Sequence, residues 1–315
     1  MKMLKIAFWG LGSIARRHII NLSEILEERH EIYQIDIIRH SNNELPHDIE
    51  KVVKNVYLEN QLKDKKYDII FITNPTSLHY ETIKKCVKYA KHLFIEKPVF
   101  DRCDIDVSSL ELNEDSVYYV ACPLRYTSVL QYVKNKVDLS QVFSVRAISS
   151  SYLPDWRPGI DYRETYSARK DLGGGVSIDL IHEWDYLTAL FGLPEQVIYV
   201  GGTYSKLEIN SEDLAVYIGM YPDKIVELHL DYFGRKVVRE MMLFTADDTI
   251  VVDIANSKLV YQKRNEVIDL SEDRDCFQKR ELVHFLDIIQ KKNKNDNNIE
   301  NALKILKIAK NYKES

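Results

Sequence analysis

The sequence predicts an α/β protein in two parts: an N-terminal doubly wound parallel sheet and a C-terminal α+β domain with a large open antiparallel sheet. Three observations predict it. Short apolar strands alternate with amphipathic helices over the first third of the chain. A glycine-rich turn, Gly10-Leu11-Gly12-Ser13-Ile14-Ala15, separates the first strand from the first helix. From Val142 onward the strands lengthen and alternate apolar with polar residues.

In chain order, Leu4–Trp9 reads as a strand, Ile14–Glu28 as a helix and Glu31–Ile38 as a second strand. Asp68–Thr73 and His92–Ile95 read as later strands with the helix Tyr80–Lys91 between them. Apolar strands joined by helices must be covered on both faces, which is the signature of a parallel sheet. Ser116–Ala121 completes that sheet, and Cys122-Pro123-Leu124-Arg125-Tyr126 begins the passage out of it. The domains are therefore placed at 1–122 and 123–315, with the last helix able to pack back on the first domain. Period-two alternation marks Val142–Tyr152, Val197–Tyr204, Leu214–Tyr221, Ile225–Tyr232 and Thr249–Asp253 as a sheet with one buried face. Between its first two strands lie the Trp-, Arg- and Tyr-rich loop Leu153–Lys170 and a helix that follows Gly173-Gly174-Gly175. The tail reads as helices Phe277–Gln290 and Asn298–Lys310 around a polar run, Lys291–Asn297, expected to be an exposed loop.

Composition narrows the function classes. The 315 residues carry 43 Lys+Arg against 48 Asp+Glu, a formal charge of −5. These charges are interspersed, which leaves no electrostatic footprint for nucleic acid or an anionic membrane and points to a small-molecule partner. Cys86, Cys103, Cys122 and Cys276 are widely spaced with no C-x-x-C pair, so neither a disulfide framework nor a metal site is indicated. No apolar run is long enough to span a bilayer, and Met1 leads almost directly into a strand, so a cytoplasmic location is expected.

A strand ending at Trp9, then Gly10-x-Gly12-x-x-Ala15, then a helix, is the context that makes a glycine pattern a dinucleotide fingerprint. Gly10 makes the tight turn, Gly12 admits a pyrophosphate to the backbone, and the amides of Ser13 and Ile14 open a helix whose N-terminus faces the anion. At the end of the second strand an acid normally bonds the adenosine ribose. Here Ile35-Asp36-Ile37-Ile38 runs into Arg39-His40-Ser41. A strand ending at Ile38 puts Arg39, His40 and Ser41 at the ribose and suits the 2′-phosphate of NADP(H), the preferred reading; a strand ending at Asp36 would favour NAD(H).

Two further blocks carry chemistry. Phe94-Ile95-Glu96-Lys97-Pro98 closes a strand, and Gly173-Gly174-Gly175 leads to Asp179, His182 and Asp185. Hydride leaves a carbinol carbon only as its hydroxyl proton is lost, so a base must reach the oxygen and a cation should stabilise the developing charge. Lys97 and His182 offer these roles, and the sequence leaves open which of them carries the proton. On an ideal helix Asp179 and His182 share one side with Tyr186, opposite Leu180, Trp184, Leu187 and Phe191, which predicts that the acid–histidine side faces a cleft or water. In the loop, Trp156, Arg157, Tyr162 and Arg163 combine ring faces with guanidinium forks, a mix suited to an anionic sugar. Arg125 and Tyr126 are candidates for the same cleft.

The glycine turn, Asn74-Pro75-Thr76-Ser77-Leu78-His79-Tyr80-Glu81, Glu96-Lys97-Pro98, Arg125-Tyr126 and the run from Gly173 to His182 and Asp185 together resemble the glucose-fructose oxidoreductase / inositol dehydrogenase (Gfo/Idh/MocA) family. The resemblance implies a Rossmann domain, an open sheet used for homodimer or homotetramer assembly, and NAD(P)-dependent chemistry at a sugar or cyclitol carbon. It implies that Asn74, Pro75, His79, Glu96 and Lys97 lie at the cofactor, with His79 near the nicotinamide. It also implies that His182 exchanges the proton, Lys97 hydrogen-bonds the reacting oxygen, and Asp179 orients substrate or histidine. Asp179 and His182 stand three apart, a departure from many members. The closest branch, matched by Asp155-Trp156-Arg157-Pro158, Asp161-Tyr162-Arg163 and Asp179 to Glu183, resembles enzymes of bacterial surface-sugar synthesis, whose substrates would be nucleotide sugars, uronates or nonulosonate relatives. Two other readings use the same fold: a dinucleotide-sensing regulator without turnover, and an enzyme that oxidises and re-reduces its substrate on tightly held cofactor.

Overall fold

The computed structural model describes residues 3–40, 44–62 and 65–312. They divide into two compact units, 1–121 with 274–303, and 122–273 with 304–315. The chain first leaves the first unit at Ala121, and the segment 274–303, grouped from sequence with the second domain, belongs to the first. That return is made by a sixteen-residue helix that packs on the helix of the glycine turn and buries Leu282, Phe285 and Leu286 together with Gln278 and Glu281.

In the first unit β1 (Leu4–Trp9), α1 (Ser13–Glu28), β2 (Tyr33–Arg39), β3 (Val53–Leu58), β4 (Tyr67–Ile72), α2 (His79–Cys86), β5 (Ala90–Ile95) and β6 (Tyr118–Val120) follow in sequence. All strand pairs are parallel, in the order β3-β2-β1-β4-β5-β6. The order reverses between β1 and β4, and the crevice outside the carboxyl ends of strands at such a switch point is where open α/β sheets bind ligands. The helix predicted over Tyr80–Lys91 ends at Cys86, because Ala90 already pairs with Tyr67 as β5 begins.

One layer of this unit is aromatic. Phe8 and Phe71 stack at 4.5 Å and Phe71 and Phe94 at 4.8 Å, while Phe285 meets Phe94 edge-on at 5.3 Å. Burial of each such ring contributes about 1.5–3 kcal/mol. The polar run Lys291–Asn297 is only partly an exposed loop. Asn297 is buried, its amide donates to the Val120 carbonyl at 2.8 Å, and the Val120 N–H donates back to the Asn297 carbonyl at 2.9 Å, so this segment satisfies the edge of β6.

The second unit contains α3 (Ser128–Lys136), β7 (Val142–Tyr152), α4 (Val176–Asp179), α5 (His182–Phe191), β8 (Gln196–Gly202), β9 (Leu214–Met220), β10 (Ile225–Asp231), β11 (Phe233–Thr245), β12 (Thr249–Asp253), β13 (Lys258–Tyr261) and β14 (Glu266–Asp269). Its eight strands lie in the order β14-β13-β12-β11-β7-β10-β9-β8. Every neighbouring pair is antiparallel except β7 with β10, which is parallel. The inner face buries Val145, Tyr217, Leu228, Met241 and Val252; α4 packs on β9 and β10, α3 on β12, and Trp184 of α5 meets Tyr217 edge-on at 5.5 Å. The outer face carries Ile198, Val200, Ile218, Met220 and Ile225, all exposed. Two helices end the chain: α6 (Arg274–Ile289), the one packed on α1, and α7 (Ile299–Ala309).

Candidate functional site

In the first unit the predicted cofactor residues gather at the carboxyl edge of the parallel sheet. Gly10 has φ +101°, and a Cβ there would stand 2.7 Å from the Asn74 nitrogen, so only glycine lets the turns after β1 and β4 approach this closely. Thr73 fastens them together, its hydroxyl donating to the Gly10 carbonyl at 3.0 Å. A Cβ on Gly12 would meet nothing within 4 Å, and α1 starts there without a side-chain cap, leaving the first amides, including those of Ser13 and Ile14, directed out of the helix. This arrangement fits a pyrophosphate.

The register of β2 places Asp36 inside the strand. The strand runs on to Arg39, and Asp36 is a buried mid-strand residue. Its carboxylate accepts hydrogen bonds from the Gln34 amide at 3.0 Å to each oxygen, from the Asn55 amide at 2.8 Å and from the Tyr67 hydroxyl at 3.2 Å. Burial and this carboxylate push the Tyr67 phenol far above its ordinary range. Arg39 and His40 instead line a cavity of about 570 Å³ with Trp9, Glu59, Lys85 and Tyr89. Within it the Lys85 ammonium pairs with Glu59, and His40 Nδ1 lies 3.7 Å from the same carboxylate. Ser41, the third residue expected here, lies outside the described residues.

The Glu96-Lys97-Pro98 turn is gripped from two sides. His18 of α1 brings Nε2 to 2.6 Å from Glu96 Oε1, and the Lys97 N–H donates to Glu96 Oε2 at 3.3 Å. Burial raises the Glu96 carboxyl, but the His18 hydrogen bond and charge, with Lys97, outweigh it and hold the group below its ordinary value. On the other side His79 is fully buried. Its Nδ1 faces the carbonyls of Pro98 at 3.1 Å and Val99 at 3.2 Å, and its Nε2 faces the Asn74 carbonyl at 3.0 Å. Burial lowers its pKa in spite of those carbonyls. His79 thus braces the Lys97 turn against the Asn74–Pro75 turn, and Lys97 itself is half-buried.

The second unit holds the acid and the histidine. Gly174 is obligatory, since a Cβ there would fall 1.9 Å from the Tyr166 carbonyl oxygen. Glu212 caps the helix that follows: its Oε1 accepts from the Ser177 N–H at 3.1 Å and its Oε2 from the Tyr199 hydroxyl at 2.5 Å. The single continuous helix assumed from sequence is interrupted. α4 ends at Asp179, Leu180 turns to ψ 29°, and α5 begins at His182, so ideal helical angles do not relate the two side chains. The acid side does not face water either. Asp179 is 6% exposed, its Oδ1 taken by the Tyr166 hydroxyl and its Oδ2 by the Tyr232 hydroxyl at 2.5 Å. Tyr232 is wholly buried, and burial with the Asp179 charge pushes its phenol well up. Tyr166 and Tyr232 had no signal in the sequence, because neither stands at a helical spacing from Asp179. His182 is half-buried at the head of α5.

The loop residues are placed as follows. Trp156 donates its indole N–H to the Ser151 hydroxyl at 2.9 Å and meets Tyr232 edge-on at 5.3 Å. Arg163 forks onto Asp161, with Nη2 at 2.7 Å, and onto Glu208 at 2.7 Å. The Tyr162 hydroxyl accepts from the Glu208 N–H at 3.2 Å. Arg125 is bidentate on Asp185, at 2.8 and 2.7 Å, and both side chains are about nine-tenths buried at 10% and 9% exposure. Tyr126 is buried beside it. Arg157 is exposed and makes no ion pair among the described residues.

Residues 4–110 match the Gfo/Idh/MocA family model, described as an oxidoreductase family with an NAD-binding Rossmann fold. Among individual proteins, the chain is 26% identical over 197 residues to an uncharacterized oxidoreductase, YrbE, of Bacillus subtilis, covering 61% of this chain and 55% of that protein. It is 23% identical over 208 residues to a myo-inositol 2-dehydrogenase of Thermotoga maritima, covering 64% and 58%. The match thus spans little more than half the length of these curated relatives. The solved structure of a UDP-N-acetylglucosamine 3-dehydrogenase, GnnA, of Acidithiobacillus ferrooxidans superposes with a TM-score of 0.77 at 19% identity over 99% of this chain and 97% of that one, a likeness of fold. Among the described residues no helix is long and apolar enough to cross a membrane.

Proposed function

We propose that the chain is a cytoplasmic NAD(P)-dependent oxidoreductase, preferring NADP(H), that moves hydride to or from a carbinol or keto carbon of an anionic sugar such as a nucleotide sugar. The observation that carries this reading is the gathering of Gly10, Asn74 and the Lys97 turn at the switch point of the parallel sheet, each turn fastened to the next. Asp36, buried in its own hydrogen-bond network, is unsuited to bind a ribose, while Arg39 lines the cavity beyond β2 and suits a 2′-phosphate. The names of the relatives, an inositol dehydrogenase and a UDP-sugar dehydrogenase, support a polyol substrate. Arg157, exposed beside Trp156, supports a negative charge on it.

When bound, the nicotinamide supplies the hydride acceptor or donor. The protein's own part is proton handling and charge. Lys97 and His182 belong to different units, and a role is proposed for each by itself. His182 takes the hydroxyl proton in oxidation and returns it in reduction, and Lys97 Nζ hydrogen-bonds the reacting oxygen and lowers its proton affinity. Asp179, held by two tyrosines, is a fixed acceptor for a substrate hydroxyl or for the histidine ring. The outer face of the second sheet, with Ile198 opposite Ile218 and Met220 opposite Ile225, supports assembly with a second copy.

Titration of the purified chain with NADPH and NADH, followed by an absorbance screen of nucleotide sugars and sugar acids, tests the reading. Turnover is expected, and Lys97→Ala and His182→Ala should each lower kcat about 100-fold or more with dinucleotide Kd kept within about threefold. Wild-type turnover in either variant removes that residue from the chemistry. Tight binding without turnover of any sugar would favour the dinucleotide-sensing alternative.

A further inference from the structure

His18 is an expensive residue in its place. It sits on the inner face of α1 among Ala15, Ile19 and Leu22, with ring centroids 5.1 Å from Phe94 and 6.0 Å from Phe71, and it is 2% exposed. Its one hydrogen bond among the described residues is Nε2 to Glu96 Oε1, and its Nδ1 is buried without a partner. An ionised carboxylate only accepts, so Nε2 carries a proton and donates. A buried polar pair with one orphaned atom is a poor way to stabilise a core, and a leucine would fill the same aromatic surroundings without desolvating anything. The pair must therefore be read for what it positions. The Glu96 backbone N–H is tied to the Ile72 carbonyl at 3.0 Å, Oε1 to His18, and Oε2 to the N–H of Lys97. With its rotamer so fixed, the carboxylate sets the peptide from which the Lys97 side chain departs.

We propose that His18 is a positioning residue for Lys97, acting through the Glu96 carboxylate and tying the nucleotide-binding helix α1 to the lysine of the reaction. The inference rests on the function proposed above and adds a residue to it. Groups that orient a reacting side chain from behind affect turnover about 10- to 100-fold when removed, and binding much less.

The test compares wild type, His18→Leu and His18→Gln. In His18→Leu, kcat should fall about 10- to 100-fold while dinucleotide Kd and sugar KM stay within about threefold, and His18→Gln, whose amide N–H can reach Oε1, should recover most of the loss. Wild-type kcat in a folded His18→Leu, or equal loss in both variants, overturns the proposal. Should His18→Leu alone fail to fold, His18→Leu with Glu96→Gln removes the unpaired charge, and it should keep wild-type Tm with the lowered kcat; a double variant with wild-type kcat also overturns it. A readout without turnover separates the two claims. Reductive 13C-methylation gives Lys97 an NMR signal, assigned by its loss in Lys97→Arg. That signal should move in His18→Leu and not in His18→Gln, even if no sugar is ever turned over. A Lys97 signal unmoved in His18→Leu sinks the positioning role and leaves the proposed function standing.

Discussion

Arg39→Asp is the perturbation that reads the adenosine end of the cofactor. Arg39 is the last residue of β2, directed to the same cavity as His40, whereas the only acid on that strand, Asp36, is committed to Gln34, Asn55 and Tyr67. A guanidinium on a phosphate oxygen contributes about 1.5–3 kcal/mol, and each 1.4 kcal/mol is tenfold in Kd, so loss of Arg39 should weaken NADPH binding about 10- to 150-fold. The new carboxylate would join Glu59, whose charge is already shared by Lys85 and His40, so the upper part of that range is expected at low salt and a smaller effect at high salt. NADH lacks the 2′-phosphate, and its Kd should change by less than about threefold or improve, because aspartate can accept from the ribose hydroxyls. Fluorescence titration of both dinucleotides at two salt concentrations measures this. Equal weakening of NADPH and NADH would refute the assignment, since Arg39 would then be supporting the turn rather than a phosphate.

Other outcomes follow from particular contacts. Arg125→Ala removes the bidentate partner of the buried Asp185 and should cost about 3–5 kcal/mol in urea unfolding, while Arg125→Met with Asp185→Leu should lose far less; a loss below about 1 kcal/mol in the single variant would contradict the pairing. His92 Nδ1 accepts the Val117 N–H at 3.0 Å, which requires that nitrogen bare, and burial lowers its pKa from 6.5 to about 4. The unfolded chain therefore takes up this proton first, so the stability His92 contributes is full above pH 6.5 and is lost as pH falls toward about 4; His92→Gln should flatten that part of the stability–pH curve, and an unchanged slope would contradict it. Size-exclusion chromatography with light scattering should give a dimer or tetramer that Ile198→Lys with Ile218→Lys disperses, and a monomeric wild type would contradict use of the outer sheet face.

Much of the architecture was legible because burial on both faces leaves little choice of residue. β1, with the pattern from Ile6 to Trp9 wholly buried, was read to the residue, and β7 and β12 were read to the residue from the alternation of a strand with one buried face. Strands at the sheet margins escaped. β3 carries Lys54 and Asn55 at the edge of its sheet, and β13 and β14, at the edge of theirs, are only four residues long each. β11, the longest strand, was missed because Arg235, Lys236, Arg239 and Glu240 interrupt its alternation, and its register against β7 shifts between Phe233 and Val238. The same divide applies to the site. Glycines and short blocks declare themselves locally, but the partners of Glu96 and Asp179 come from 78 and 53 residues away and only the fold brings them there. A histidine on the apolar side of α1 was the one sequence hint of the Glu96 partner.

The parallel pairing of β7 with β10 in an otherwise antiparallel sheet has a consequence for how such a chain can change. Parallel neighbours cannot be joined by a hairpin and need a long crossover. Here the crossover is everything from Leu153 to Lys224: the tryptophan loop, the three glycines, Asp179, His182, and the strands β8 and β9. The middle of the sheet can close only after the segment that carries Asp179 and His182 has been made and threaded across it. Deleting that segment would therefore forfeit the scaffold, whereas replacing its loop residues would leave the connection intact. This half of the molecule is open to change by substitution, and closed to loss by excision.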